Sequence, residues 1–293
     1  MASSLRLRLA KQSAEALIQK LQIPCLPIDP FLIAEKHDIA IQAKPNTAIG
    51  VSGMLLRHGE AFGIMYATNI SSEGFQRFSV AHELGHYFLE GHIDHVFKDG
   101  DVHESQAGFT SGDIHELEAD HFAAGLLMPS HLFLDEQAQH EAGLHAIEEL
   151  SRACRTSLTA TAIAYAESTE DAVAVVLSTG PLVDFCCMSE LMRSKGNFNW
   201  PRKGTPVPRN TATAELNAHA DRVATADRET READAVAWFG GDRSLPCVEE
   251  VAGLGSYGRT LTVLSCPTLE DEVDDEEDDA SEESMLDHWA HRF

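Results

Sequence analysis

The pentapeptide His82-Glu83-Leu84-Gly85-His86 constrains this chain more than any other stretch, because two histidines four apart with a glutamate after the first form the H-E-x-x-H pattern of zinc hydrolases. The pattern has chemical meaning only on a helix. Gln76 to Glu90 contains no proline, and Phe78, Ala81, Gly85 and Phe88 follow the spacing of one apolar helical face. His82 and His86 then point the same way, one turn apart. Two neutral imidazoles so placed can bind one Zn²⁺ at roughly 2.0 to 2.1 Å each. Glu83, one position round the helix, can take a proton from a water that the metal acidifies. A five-residue pattern can also arise by chance as a surface feature. Against that stands the cost of burying a His pair and a glutamate in an apolar helix with nothing to bind.

A catalytic zinc needs three protein ligands and an open fourth position. Three residues downstream compete for the third place. His92 stands where the last histidine of a metzincin motif would stand, but Leu89 occupies the position at which that motif needs glycine. The segment from Ile114 to Met128 reads as a helix stopped by Pro129. On it Glu116 and Asp120 are i, i+4 partners, so Glu116 could bind the metal while Asp120 accepts a hydrogen bond from a ligating histidine. Glu118 lies on another face and reads as a solvent-side carboxylate or half of an ion pair. Glu116 is the preferred ligand, with Glu118 and His92 as alternatives. His95, His103, His115 and His121 share no pair spacing and read as solvated side chains, a second metal site being the less favoured reading.

Taken together, Arg77-Phe78-Ser79-Val80-Ala81-His82-Glu83-Leu84-Gly85-His86-Tyr87-Phe88 and Glu116-x-x-Ala119-Asp120-x-Phe122-Ala123-Ala124-x-Leu126-Leu127-Met128-Pro129 resemble the ImmA/IrrE family of zinc metallopeptidases. The likeness extends upstream through Ile28-Asp29-Pro30, Asp38 to Ile41 and Val51 to Leu55. It implies an endopeptidase that cuts a helix-turn-helix transcriptional repressor, often encoded beside it, and so releases stress-response or mobile-element genes. It also implies that His82 and His86 are zinc ligands, Glu83 the general base and Glu116 the third ligand. Mn²⁺ could substitute for Zn²⁺ on such ligands. The long polar spacer from Gly91 to Asp113 leaves the cleft undefined. Further on, Trp238-Phe239 and Tyr257 to Leu264 look like the regulatory carboxy-terminal domain of longer, IrrE-like members, a GAF- or PAS-like sensor.

The expected fold class is α+β, in four parts. Residues 1–143 form a zincin-like metallopeptidase domain, with helices beside a small antiparallel sheet of strands near Ile39–Ala43, Gly53–Arg57 and Phe62–Ala67. An edge strand of that sheet could hold a substrate in extended form. Residues 144–169 read as a helix-turn-helix-like connector, two helices around Arg155-Thr156-Ser157. Residues 170–268 form the GAF/PAS-like α+β unit, with strands at Ala172–Ser178, Leu182–Met188 and Arg259–Cys266 and helices near Ala212–Ala226 and Glu232–Trp238. Residues 269–293 form an acidic tail expected to be disordered.

Composition narrows the setting. The formal charge is −25, and from Glu270 to Glu283 acidic residues stand without any basic one. That sign opposes nucleic-acid binding, which draws affinity from Lys and Arg on phosphates; the connector offers only Arg152 and Arg155. Apolar runs are too short to span a bilayer, and the Leu-Arg alternation of Met1 to Ala10 lacks a signal-peptide core. The helix that continues to Leu21 is expected to be amphipathic and to lie on the surface. The six cysteines show no C-x-x-C spacing and read as reduced, buried thiols of a cytoplasmic protein. Two other classes stay open: a non-catalytic regulator that binds DNA or a repressor, and a toxin–antitoxin component.

Overall fold

Residues 2–44, 51–105, 111–195, 198–241, 244–267 and Leu269 are described by the structure, a computed structural model. In chain order the elements are α1 (Ala2–Lys20), α2 (Pro30–Lys36), β1 (Ala40–Lys44), β2 (Gly53–His58), β3 (Ala61–Ala67), α3 (Glu73–Phe88), α4 (His92–Val96), β4 (Val102–Ser105), α5 (Ile114–Leu127), α6 (Ser130–Gln137), α7 (Leu144–Cys154), α8 (Leu158–Ser168), β5 (Val173–Thr179), β6 (Leu182–Met188), α9 (Glu190–Lys195), α10 (Ala212–Asn217), α11 (Ala220–Ala224), β7 (Arg228–Asp234), α12 (Ala235–Phe239), β8 (Pro246–Gly253), a 3₁₀ turn (Gly255–Tyr257) and β9 (Thr260–Ser265). They divide into two units, Met1–Glu136 with Leu150–Ser157, and Gln137–Glu149 with Leu158–Phe293.

In the first unit the sheet order is β1-β3-β2-β4. The hairpin β2–β3 turns at Gly59, whose φ of +62 favours glycine. Its second strand lies against β1 and runs parallel to it, because the chain reverses twice between them. The α+β class holds, but this sheet is mixed rather than antiparallel throughout. The spacer left undefined by the sequence supplies α4 and β4, and β4 pairs antiparallel with β2 from Gly53↔Ser105 to Leu56↔Val102.

Helix α5 packs against both α1 and α3. Each crossing is tight because of one glycine. A Cβ on Gly125 would meet the backbone of Lys11 in α1 at 2.9 Å, and one on Gly85 would meet Ala119 Cα at 3.0 Å. Ala10, Ala14, Leu17 and Ile18 of α1 are buried, so the helix expected on the surface is a core element. Its alternating Leu and Arg pattern hid this, since small residues supply much of the buried stripe.

The second unit is an all-antiparallel sheet of order β6-β5-β9-β8-β7. Positions Val173 to Ser178 of β5 are buried on both faces, with Ala174 and Val176 in one cluster with Met192, Trp238 and Phe239. Strands β7 and β8 were not visible in the sequence. β7 is the charged stretch Arg228 to Asp234, an edge strand whose Arg231 pairs with Glu229 and Glu215. In β8 a fully buried Glu249 breaks the apolar pattern; it accepts the backbone N–H groups of Ala212 and Thr213, capping α10. Glu232 therefore lies in a strand, not in the helix expected to start there, and the helix expected over Ala212–Ala226 is two short ones. All six cysteines are free; Cys25 is exposed and the other five are buried. Among the described residues no helix is long and apolar enough to cross a membrane. The acidic segment 270–293 lies outside the described residues.

Candidate metal centre

Helix α3 begins where Ser72 accepts the Phe75 N–H and runs unbroken through His86. Its face from Val80 to His86 is buried. Helix α5 begins at Asp113, which accepts the His115 N–H at 2.8 Å, and ends before Pro129. The contact of Gly85 with Ala119 lets the two helices approach until their polar groups meet.

His82 Nε2 and His86 Nε2 are 3.1 Å apart. Glu116 Oε2 lies 3.3 Å from the first and Oε1 3.3 Å from the second. A tetrahedral ion with bonds of about 2.0 to 2.1 Å holds its ligand atoms about 3.3 to 3.4 Å apart. The donor set of two imidazoles and one carboxylate therefore fits a zinc-type ion in size and chemistry.

The far side of each imidazole is also held. His82 Nδ1 is 2.8 Å from Asp120 Oδ1, the i, i+4 partner of Glu116. His86 Nδ1 is 3.1 Å from His92 Nδ1, and His92 Nε2 is 3.2 Å from Glu118 Oε2. Glu118 in turn accepts Arg6 Nε at 2.7 Å and Nη2 at 2.6 Å. One set of protons satisfies this whole chain: His86 Nδ1–H donates to His92 Nδ1, and His92 Nε2–H donates to Glu118. The Nε2 of His86 then carries its lone pair toward the centre, and His82, with Nδ1–H facing Asp120, would present the same once its ring is neutral.

Of the three candidate third ligands, Glu116 is the one that reaches the inward Nε2 atoms of the histidine pair. Leu89 keeps an extended conformation, Gly91 takes the turn at φ +77, and α4 brings His92 onto the outer nitrogen of His86. Glu118 faces Arg6 and His92 instead.

Glu83 is fully buried, and neither carboxylate oxygen has a hydrogen-bond partner among the described residues. Burial pushes its carboxyl up to about 7, outweighing the pull of His82 and His103. Gly53 of β2 makes the space it occupies, since a Cβ there would collide with Glu83 Oε1. Burial opposes charge on His82, but its hydrogen bonds to Asp120 and Glu116 prevail and raise it to about 10. Burial lowers His86 to about 3. For Glu116 burial is outweighed by hydrogen bonds to His103, His82 and His86, which hold it far below the usual carboxylate range.

His103, expected to be solvated, was missed. It stands on β4 with Nε2 3.0 Å from Glu116 Oε1 and its ring 4.8 Å from that of His86. Only an alternation over Val102 to Ser105 could have placed it, and four residues are too few to read. In the second unit, burial pushes Cys187 up to about 11 and Cys186 higher still, so neither is a reactive thiolate.

The fold as a whole is similar to that of a solved Mycobacterium tuberculosis transcriptional regulator, at 12% identity and a TM-score of 0.55 over 90% of this chain and 78% of the other. No curated protein matches the chain. Residues 34–164 match the family model described as the IrrE N-terminal-like domain of the M78 peptidases, and that segment spans β1 to α8 with every residue of the triad. The part of the chain that holds the candidate metal centre is thus similar to the IrrE N-terminal-like domain of the M78 peptidases.

Proposed function

We propose that the protein is a zinc-dependent endopeptidase that cleaves a helix-turn-helix transcriptional repressor. One observation carries the reading: a fully buried, unpartnered Glu83 carboxylate lies on the helix turn that presents His82 and His86 to Glu116. His82, His86 and Glu116 would hold the ion, Zn²⁺ or in substitution Mn²⁺. When bound, that ion supplies Lewis acidity toward water and the scissile carbonyl. Glu83 accepts the proton of the attacking water and passes it to the leaving amine, a task suited to a carboxyl near neutrality. Asp120 and His92 orient the two imidazoles, and His103 steadies Glu116. Strand β4 has β2 as its one strand partner among the described residues, which supports binding of an extended peptide along its other side.

The repressor substrate rests on the family likeness, and the fold shared with a transcriptional regulator is in keeping with a regulatory setting. On this reading residues 1–143 do the chemistry, 144–169 connect and 170–268 receive the signal as a GAF/PAS-like sensor. Six free cysteines suit the cytoplasm. The alternative of a DNA-binding regulator finds little support in α8, where Glu167 is the one exposed residue. A recognition helix needs a free face for the major groove.

The test incubates the purified chain, with and without added zinc or manganese, with the repressor encoded nearest to it, and reads products by mass spectrometry. Glu83→Gln should bind metal and fail to cut. Cleavage by that variant would remove Glu83 as the base, and no cleavage by the wild type under any metal would leave a non-catalytic regulator.

A further inference from the structure

Outside the inner triad, the structure brings His95 of α4 together with Asp113 and His115 at the start of α5. One donor atom from each lies within 4.8 Å of the others. His95 Nε2 is 3.2 Å from Asp113 Oδ2, and His115 Nδ1 is 3.2 Å from Asp113 Oδ1. The two imidazoles stack with centroids 3.8 Å apart and planes at 19°. We propose that His95, Asp113 and His115 form a second metal site, for a divalent transition ion of the zinc class.

The donor chemistry selects the ion. Two imidazoles and one carboxylate suit zinc and its neighbours, whereas calcium and magnesium require oxygen-rich shells. Each nitrogen lies 3.2 Å from a different oxygen of Asp113 and the three donor atoms lie within 4.8 Å of one another, so side-chain rotations that part the stacked rings would draw them onto one ion. Asp113 is held in place before any ion arrives. Its Oδ1 accepts the His115 N–H, and its own N–H donates to Ser111 Oγ at 3.0 Å. The side chains of His95, His115 and Asp113 are 32%, 23% and 43% exposed, which leaves an entry path and room for water to complete the shell.

Two features make this site weaker than the inner one. It is open to solvent, and the positive end of the α5 dipole, which Asp113 only partly offsets, disfavours a cation. Its place matters all the same. His115 precedes Glu116 in the chain, and its ring meets that of His92 edge-on at 5.0 Å. An ion here would clamp α4 to the first turn of α5, the elements that carry His92 and Glu116. The inference does not depend on peptidase activity.

The experiment uses the full-length chain stripped by a chelator and dialysed to equilibrium against buffered zinc, with bound metal counted by mass spectrometry. The wild type should take up a tight equivalent and then a weaker one. Asp113→Asn, which keeps an N-cap acceptor, and His95→Ala/His115→Ala should both lose the weaker equivalent and keep the tight one. Glu116→Gln should do the reverse, so failure of the inner site is told apart from failure of the outer. Circular dichroism checks that each variant is folded, and Asp113→Asn decides the matter if the double variant is not. Saturation of the wild type at a single equivalent, or a weaker equivalent that survives Asp113→Asn and the His95→Ala/His115→Ala change, would overturn the proposal.

Discussion

Asp120 Oδ1 lies 2.8 Å from His82 Nδ1, and both side chains are sealed from solvent. A carboxylate at that nitrogen fixes the tautomer, aims Nε2 at the centre and raises its basicity. Asp120→Ala should therefore weaken zinc binding by roughly 10- to 100-fold, and Asp120→Asn, which keeps an oxygen acceptor, by less. Competition with a chromophoric chelator measures both. Equal affinity in Asp120→Ala and wild type would show that the contact is packing without electronic consequence.

That contact was legible in the sequence because it needs only helical periodicity on two segments. His82, His86, Glu116 and Asp120 are each placed by i, i+4 spacing, which is local. His92 and Glu118 were visible as polar residues but not as partners, since Arg6 and Glu118 lie 112 positions apart and meet only because α1 packs on α5. The same holds for His103, whose strand is short, and for β7, whose charges mask its edge position. Local pattern brought out the candidate ligand cluster; tertiary packing determines what surrounds it.

Glu118 supplies a second prediction. Its carboxylate is nearly buried and is answered by Arg6 on one side and His92 on the other. In Glu118→Ala the His92 Nε2–H loses its acceptor, and the ring is free to turn away from His86. Zinc affinity should fall by roughly 10-fold, the lower end for an outer-shell partner. Arg6→Ala should have a smaller effect, because His92 keeps its acceptor. If Arg6→Ala proved as damaging as Glu118→Ala, α1 packing rather than the hydrogen-bonded chain would be responsible.

The two glycines near the centre should separate fold from chemistry. At Gly85 an added Cβ meets the Ala119 backbone at 3.0 Å, so the helices must move apart. Overpacking costs about 1–3 kcal/mol, partly offset by a gain of about 1 kcal/mol in helix propensity. Gly85→Ala should thus lower stability in urea by about 1 kcal/mol and loosen metal binding. At Gly53 the three nearest atoms to an added Cβ all belong to the Glu83 side chain, Oε1 most closely, so that carboxylate must shift. Gly53→Ala should keep its stability and its zinc affinity but lose most of its turnover. A Gly53→Ala variant with full activity would show that the position of the Glu83 carboxylate is not critical.

Metal loading should release protons, and the sign follows from His82. In the metal-free protein its hydrogen bonds to Asp120 and Glu116 raise it to about 10, so at pH 7 it carries a proton. His86, lowered to about 3 by burial, does not. Ligation requires both imidazoles neutral, so each zinc bound at pH 7 should displace about one proton, and affinity should climb about tenfold per pH unit below 10. Calorimetry in buffers of different ionisation enthalpy counts the protons directly. Asp120→Ala should reduce the count, since the group that holds the proton on His82 is gone. A wild-type count of zero would mean that His82 is already neutral in the metal-free protein, with its one hydrogen on Nδ1 facing Asp120.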